Sequence, residues 1–390
     1  MKRIFVFLLL LCSSFSIKAQ TDSSRLRISL LTCSAGEELY SIFGHSALRV
    51  IDSSIFTDRV YNYGTFDFNP DFYGKFIRGK LLYYLSVENF PDFLYAYQLE
   101  NRSIVEQVLN LSEEEKLKLN AALILNARGK NKFYKYDFLF DNCSTRIRDI
   151  LKENVSGPVE IKNILPYEDV TFRDLIHYSL NQGRMYWSKL GIDMLLGRGL
   201  DKPATNEQTM FLPDYLFKGF DSATIGNAPL VNKVNVVYEA PSHAPGEKPF
   251  FTPFVVFSIV FFIFLALSLT NINGKKQILA VFDFILFLSA GLAGILLIFM
   301  WTGTDHQLCR NNYNLLWAIP FHAVAAFFPG SKKKIMHRYW AFVFLVYLTL
   351  LVFWVWLPQE LNKDLLPVIV LLAWRSWKQF KRLEDAKKAV

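Results

Sequence analysis

Asp141-Asn142-Cys143-Ser144-Thr145-Arg146 sets a single cysteine at the first turn of a short helix, Cys143 to about Lys152. Ile147, Ile150 and Leu151 recur at i, i+3 and i+4 and give that helix one apolar stripe. Asn142 or Asp141 supplies an N-cap side chain. The macrodipole places roughly half a positive charge at this end of a helix, which favours a thiolate over a thiol. An activated cysteine needs a base, and the best placed is His45, in Phe43-Gly44-His45-Ser46-Ala47-Leu48-Arg49-Val50. That stretch alternates as a strand, with Phe43, His45, Ala47 and Arg49 on one face and Ser46, Leu48 and Val50 on the other. Nucleophile and base need geometry rather than sequence order, so the two can form a Cys/His nucleophilic site.

The rival histidines outside the apolar spans are His177, inside a predicted helix, His243, in a Pro- and Gly-rich stretch, and His306, between two apolar spans. A third group should orient the imidazole, and Asn62 and Asp67, on or just after the next strand, are the candidates. Beyond the leader described below, the cysteines are Cys33, Cys143 and Cys309. A Cys33–Cys143 disulfide is the competing reading for an oxidising compartment, although an odd count leaves one thiol free. With no CxxC and no close histidine pair, neither zinc nor another cofactor is expected.

The 390 residues are 52% hydrophobic and 16% aromatic with a net charge of +8, too apolar for a simple soluble enzyme and too uneven for a purely integral one. Met1-Lys2-Arg3 followed by Ile4 to Leu11 and then Ala19-Gln20 has the order of a secretory signal peptide over residues 1–20. A lipobox at Cys12 and an uncleaved anchor are the alternatives. The positive charges cluster at Lys275–Lys276, Lys332–Arg338 and Arg375–Arg382, beside apolar spans. They read as topology signals and argue against a nucleic-acid face.

Residues 25–245 read as one α+β domain. Strands are expected around Arg27–Cys33, Phe43–Val50, Arg59–Phe66, Lys80–Val87 and Arg102–Leu109, with a helix over Phe90–Glu100. Ser112-Glu113-Glu114-Glu115 is a capping box opening a helix that Gly129 ends. Tyr134–Phe140 is an aromatic, extended approach to Cys143; Thr171 opens a further helix; Gly191–Leu200 is a Gly-punctuated loop or helix; and Asn206–Phe217 ends in a strand or loop. Pro241–Pro249 is a linker. Residues 250–378 then form a membrane bundle of about five helices, Phe250–Thr270, Ile278–Trp301, Tyr313–Phe328, Tyr339–Leu357 and a marginal Leu365–Trp377. Asp283, costly inside the second span, calls for a polar partner or a place near the inner interface. Basic loops 271–277 and 329–338 fall on one side; the domain and loops 302–312 and 358–364 fall on the other, which is the periplasm of a bacterial inner membrane.

A Gly-His strand followed by Asn-Cys at a helix start resembles the circularly permuted papain-like superfamily of lecithin–retinol acyltransferase-like and permuted NlpC/P60 enzymes. More closely, Leu31–Gly36, Phe43–Val50, Tyr61–Phe68, Asp141–Arg146 and Asn312–Trp317 resemble a Bacteroidota family with an exported Cys/His domain fused to a multi-span tail. That family is known for lipoprotein N-acylation. The resemblance implies transfer of a fatty acyl chain, from a phospholipid donor, onto the α-amine of the lipidated N-terminal cysteine of lipoprotein acceptors. It puts His45 and Cys143 at the catalytic positions, and Asn62 and Asp67 match its pattern without a specific role. Arg49 and Arg146, beside the two catalytic candidates, and His306 at the membrane surface are candidate substrate contacts, with salt bridges and a polar turn as the plainer readings. A papain-like hydrolase, either a lipase or a cell-wall amidase, and a non-catalytic membrane adaptor are the competing functions.

Overall fold

The computed structural model describes residues 25–67, 70–241, 249–329, 331 and 333–388, with side chains to residue 382. The expected signal peptide and linker residues 242–248, His243 included, lie outside the described residues. The fold is α+β, a sheet-rich first part followed by a helical second part. In order come β1 (Leu26–Cys33), β2 (His45–Asp52), β3 (Thr57–Thr65), α1 (Phe72–Ile77), β4 (Leu82–Asn89), α2 (Phe90–Leu99), β5 (Ile104–Leu109), α3 (Glu113–Asn126), β6 (Phe133–Lys135) and α4 (Cys143–Asn154). They are followed by β7 (Val159–Glu160), α5 (Phe172–Gln182), α6 (Tyr186–Leu195), α7 (Asn206–Thr209), α8 (Pro213–Ser222), β8 (Thr224–Ile225), β9 (Ala228–Pro229) and β10 (Val231–Tyr238).

Seven strands pair antiparallel in the order β10-β5-β1-β2-β3-β4-β6, and β7-β8-β9 make a separate small sheet. Period-two alternation splits the strand side chains between two cores. Leu26, Ile28, Leu30, Leu48 and Val50 join Leu119 and Leu123 of α3 and Ile147, Ile150 and Leu151 of α4. Leu31, Cys33, Ala47 and Val60 turn the other way, onto Phe90 and Phe93 of α2. The capping box of α3 is formed as expected, Ser112 accepting from the Glu115 amide and Glu115 reaching back to the Ser112 amide. Asn206–Phe217 departs from the strand or loop expected there. It is helical because Thr205 caps α7 with Gln208, while Pro213 occupies the first turn of α8, where its missing N–H costs nothing.

The second part contains α9 (Pro253–Leu269), α10 (Lys275–Thr302), α11 (His322–Ala325), α12 (Lys334–Val352) and α13 (Leu366–Lys388). By length and composition α10 and α12 can cross a membrane, and α9 is a shorter apolar helix. The third expected span, Tyr313–Phe328, is not a continuous helix. It is a 3-10 turn at Tyr313–Leu316, a break around Pro320 and the single helical turn of α11. Proline removes a donor mid-segment, and such backbone is tolerated at membrane depth only inside protein. Here Gly291 and Gly294 of α10 supply the room, since a Cβ at either would collide with the backbone of Ala323 or Ala318. The Tyr347 hydroxyl donates to the freed Trp317 carbonyl at 2.9 Å.

Asp283 has its partner within the bundle: Arg375 Nε and Nη2 donate to it at 2.6 and 2.9 Å, and Gln379 adds a bond at 2.8 Å. Arg375 is therefore a buried counter-ion and not a flanking charge of the topology signal.

A polar knot ties the two parts together. Arg173 of α5, 1% exposed, donates to Asp193 Oδ1 at 2.7 Å and to both oxygens of Asp201 at 2.8 and 3.0 Å. Asp193 also takes His177 and, from the loop after α12, Asn362 at 2.8 Å. Asn312 and Asn314, ahead of the broken span, donate to the α6 carbonyls of Met194 and Asp193. Leu190 of α6 belongs to the same apolar cluster as Phe287, Trp317 and Trp340 of the bundle. The knot fixes where the sheet stands relative to the spans.

Candidate functional site

Cys143 is the first residue of α4, and Asn142 is its cap. Asn142 Oδ1 accepts from the Ser144 and Thr145 amides at 2.9 Å, and Thr145 Oγ1 accepts from the Asn142 amide at 2.8 Å. The Asn142 amide group donates to the Phe138 and Phe211 carbonyls, both at 2.8 Å, which locks the turn ahead of the cysteine. Asp141 is engaged elsewhere, with Arg146. Two of the first-turn amides are thus spent on the cap, while the Cys143 N–H has no partner among the described residues.

His45 opens β2 directly opposite Cys33 of β1. Its Nε2 lies 2.7 Å from Asn62 Oδ1, so Nε2–H donates to that oxygen and Nδ1 is left for the thiol. Asn62 sits on β3 and is itself held by Glu88 of β4, which accepts from Asn62 Nδ2 at 3.1 Å. Gly64 lies beside both His45 and Cys143 with φ +95°. A Cβ there would be 3.8 Å from both Cys143 Cβ and His45 Cε1, so any longer side chain would enter the space between them.

The electrostatics single out one thiol. Burial opposes ionisation of Cys143, but the charge and hydrogen bond of His45, the Ser46 amide and the Ser144 hydroxyl outweigh it and bring the thiol down to about 7. Burial also works against the His45 imidazolium. The Cys143 thiolate, and hydrogen bonds with Cys143 and Asn62, prevail and raise His45 above its ordinary 6.5. Cys33 is pushed up to about 12 and Cys309 up to about 11, burial leading in both cases. Cys33, Cys143 and Cys309 are all free, so the Cys33–Cys143 disulfide does not form. Cys143 and His45 remain partly exposed, which leaves the pair open to a substrate.

The other candidates separate from this centre. Asp67 accepts from the Tyr84 hydroxyl at 2.9 Å and does not touch His45, because β3 slips register between Asn62 and Thr65 and carries the chain away. Arg49 is no free anion ligand. It is forked onto Asp58 at 2.8 and 2.6 Å, bonded to Glu106 and stacked 3.3 Å over Phe90. Arg146 chelates Asp141 and lies 3.8 Å over Tyr134. His306 Nε2 hydrogen-bonds the Phe76 carbonyl at 2.9 Å and latches loop 302–312 onto α1. Sequence reading missed Glu88; the signal for it was a lone carboxylate in strand register with Val60, two positions from Asn62. Among the described residues no group of three His, Cys, Asp or Glu side chains converges as a metal site.

A partly exposed thiol near neutrality, an imidazole fixed by an amide oxygen and a free helix-start N–H can together carry out nucleophilic acyl chemistry. Residues 14–181 match the family model described as the Lnb N-terminal periplasmic domain, and residues 245–384 match the one described as the Lnb transmembrane domain. No curated protein and no solved structure matches the chain.

Proposed function

This chain belongs to the Lnb family, a membrane protein with a periplasmic domain in lipoprotein maturation, and from that premise we propose that it is a cysteine-dependent lipoprotein N-acyltransferase. The observation that carries the proposal is His45, set between Asn62 Oδ1 and the thiol of Cys143 while the other two thiols are driven far from ionisation. Cys-His-Asn is the constellation of papain-like acyl transfer. The order of a histidine strand before a cysteine helix supports the circularly permuted form of that fold.

The reaction runs in two halves. The Cys143 thiolate attacks an ester carbonyl of a membrane phospholipid, and the Cys143 N–H meets the oxyanion. The C–O bond breaks, His45 gives its proton to the departing lysophospholipid alcohol, and a thioester remains. The α-amine of a lipoprotein's lipidated N-terminal cysteine then attacks the thioester, and a proton from the amine passes to His45. The C–S bond breaks, leaving an amide and the free thiolate. Both substrates lie in the outer leaflet of the inner membrane, so a domain knotted to its spans meets them without a three-dimensional search.

The test is acylation of the full chain by a phospholipid labelled in its acyl chains. A hydroxylamine-sensitive adduct on Cys143 that discharges to a lipoprotein amine is the expected result. An adduct that discharges only to water makes the protein a lipase, and transfer that survives Cys143→Ala overturns the proposal.

A further inference from the structure

One feature of the sheet domain has no part in the chemistry above. A series of aromatic rings in successive contact runs from Tyr136 to the membrane-side loop 302–312. Tyr136 packs, like Cys143, on the main apolar core of the domain. Its ring stacks on Tyr83 at 4.2 Å between centroids; Tyr83 meets Phe66 at 5.2 Å, Phe66 meets Phe72 at 5.6 Å, and Phe72 stacks on Phe76 at 6.0 Å and 8°. Phe76 ends the series against the His306 ring, in the loop between α10 and the broken span.

The membrane end has a composition of its own. α1 is a helix of six residues, yet Tyr73, Phe76 and Ile77 are 71%, 49% and 47% exposed. It is held to the membrane-side loop by backbone as well as by His306: the Asp305 amide donates to the Arg78 carbonyl at 3.0 Å. Exposed rings at the membrane end of a path and a thiol at its far end match the hydrocarbon tail of a lipid that enters with its ester carbonyl leading. They do not match a peptide, which would need free backbone donors and acceptors along the way.

We infer that this aromatic series is the seat of the donor's acyl chain: the chain lies along Phe76, Phe72, Phe66 and Tyr83 with its methyl end at α1 and its carboxyl end, and the glycerol headgroup joined to it, at Cys143. The inference rests on the acyl-transfer reading and adds to it the residues that select a long-chain donor. Aromatic faces suit methylene chains because they bury area without asking for hydrogen bonds. A short-chain ester cannot span the series, so the same residues set a preference for chain length.

The experiment uses the full chain in phosphatidylethanolamine vesicles and reads Cys143 adduct formation from a dipalmitoyl donor against a dibutyryl one. The double variant Tyr73→Ala/Phe76→Ala is expected to reduce the palmitoyl rate at least tenfold while the ratio of butyryl to palmitoyl rates rises by a similar factor. Phe76→Leu restores the palmitoyl preference. Phe56→Ala, 95% exposed in the turn at the other end of β2, leaves both rates unchanged. In Cys143→Ala, a diazirine near the carboxyl end of the donor chain should label Tyr83 or Tyr136, and one near the methyl end should label α1. Equal loss of both donors, no loss of either, or labelling in any other order overturns the acyl seat while the acyl-transfer reading stands. If the unaltered protein forms no adduct with either donor, the acyl-transfer reading falls first and the seat falls with it.

Discussion

His45 and His177 each make a hydrogen bond through Nε2 at 2.7 Å, one to Asn62 and the other to Asp193. Their partners set their fates. Asn62 offers a neutral oxygen held by Glu88, which fixes the ring and its tautomer and leaves Nδ1 and a change of charge free for a thiol. Asp193 is a buried carboxylate already filled by Arg173 and Asn362, so His177 adds one more fixed contact to a network with nothing left to exchange. A buried polar group becomes structural when its neighbours satisfy it completely, and reactive when they orient it and stop short.

The comparison breaks most visibly at Cys143, the proposed nucleophile. Cys143→Ala should lower phospholipid-to-lipoprotein acyl transfer by on the order of 10⁴-fold or more, with the thermal midpoint of the purified protein nearly unchanged. A large loss of stability instead would make Cys143 a member of a knot like that around Asp193. Next in size is Asp193→Ala, which takes the acceptor from Arg173 Nη1, His177 and Asn362 while Asp201 still holds the rest of the guanidinium, and should cost about 3 kcal/mol in denaturant unfolding, with normal turnover per folded molecule. Burial opposes the Asp193 carboxylate, but His177, Arg173 and Asn362 prevail and hold it below 3.8. Its stabilisation is therefore present above that pH and lost as the pH falls through the folded value, and unfolding midpoints measured downward from pH 5 should record the fall.

Asn62→Ala sharpens the proposed contrast. Loss of the orienting oxygen should slow Cys143 acylation by about 10- to 100-fold with little change in stability. In the unaltered protein the rate should climb as Cys143 ionises near 7 and decline where His45, raised above 6.5, gives up its proton. Asn62 contributes to that rise, so its removal moves the alkaline limb to lower pH, and a pH–rate profile of adduct formation reads the shift. Smallest is Asn142→Ala, which deletes the cap of α4 and should cost about 1–2 kcal/mol of stability, visible in the same denaturant unfolding.

What the sequence made legible is local. The cap and stripe of α4, the alternation of β2, the capping box of α3 and the long apolar helices are all patterns within a few residues, and each corresponds to an element of the fold. What it hid depends on partners far along the chain. Arg49 looks free until β5 brings Glu106 beside it, and Arg375 looks like a flanking charge until α13 packs on α10. Asn62 and Asp67 are equal candidates by composition, and only the register slip after Asn62 separates them. Apolar content alone read Tyr313–Phe328 as a helix, although Pro320 and the polar Asn312, Asn314 and His322 pointed to a break.

The pairing of Asp283 with Arg375 bears on how the protein is made. Asp283 leaves the ribosome 92 residues ahead of the arginine that neutralises it, so α10 must enter the membrane with its acid unanswered. The contact between α10 and α13 therefore closes only after α13 has been made. A chain cut short before α13 would leave that carboxylate without its arginine and its glutamine, so the last helix completes the polar interior of the bundle.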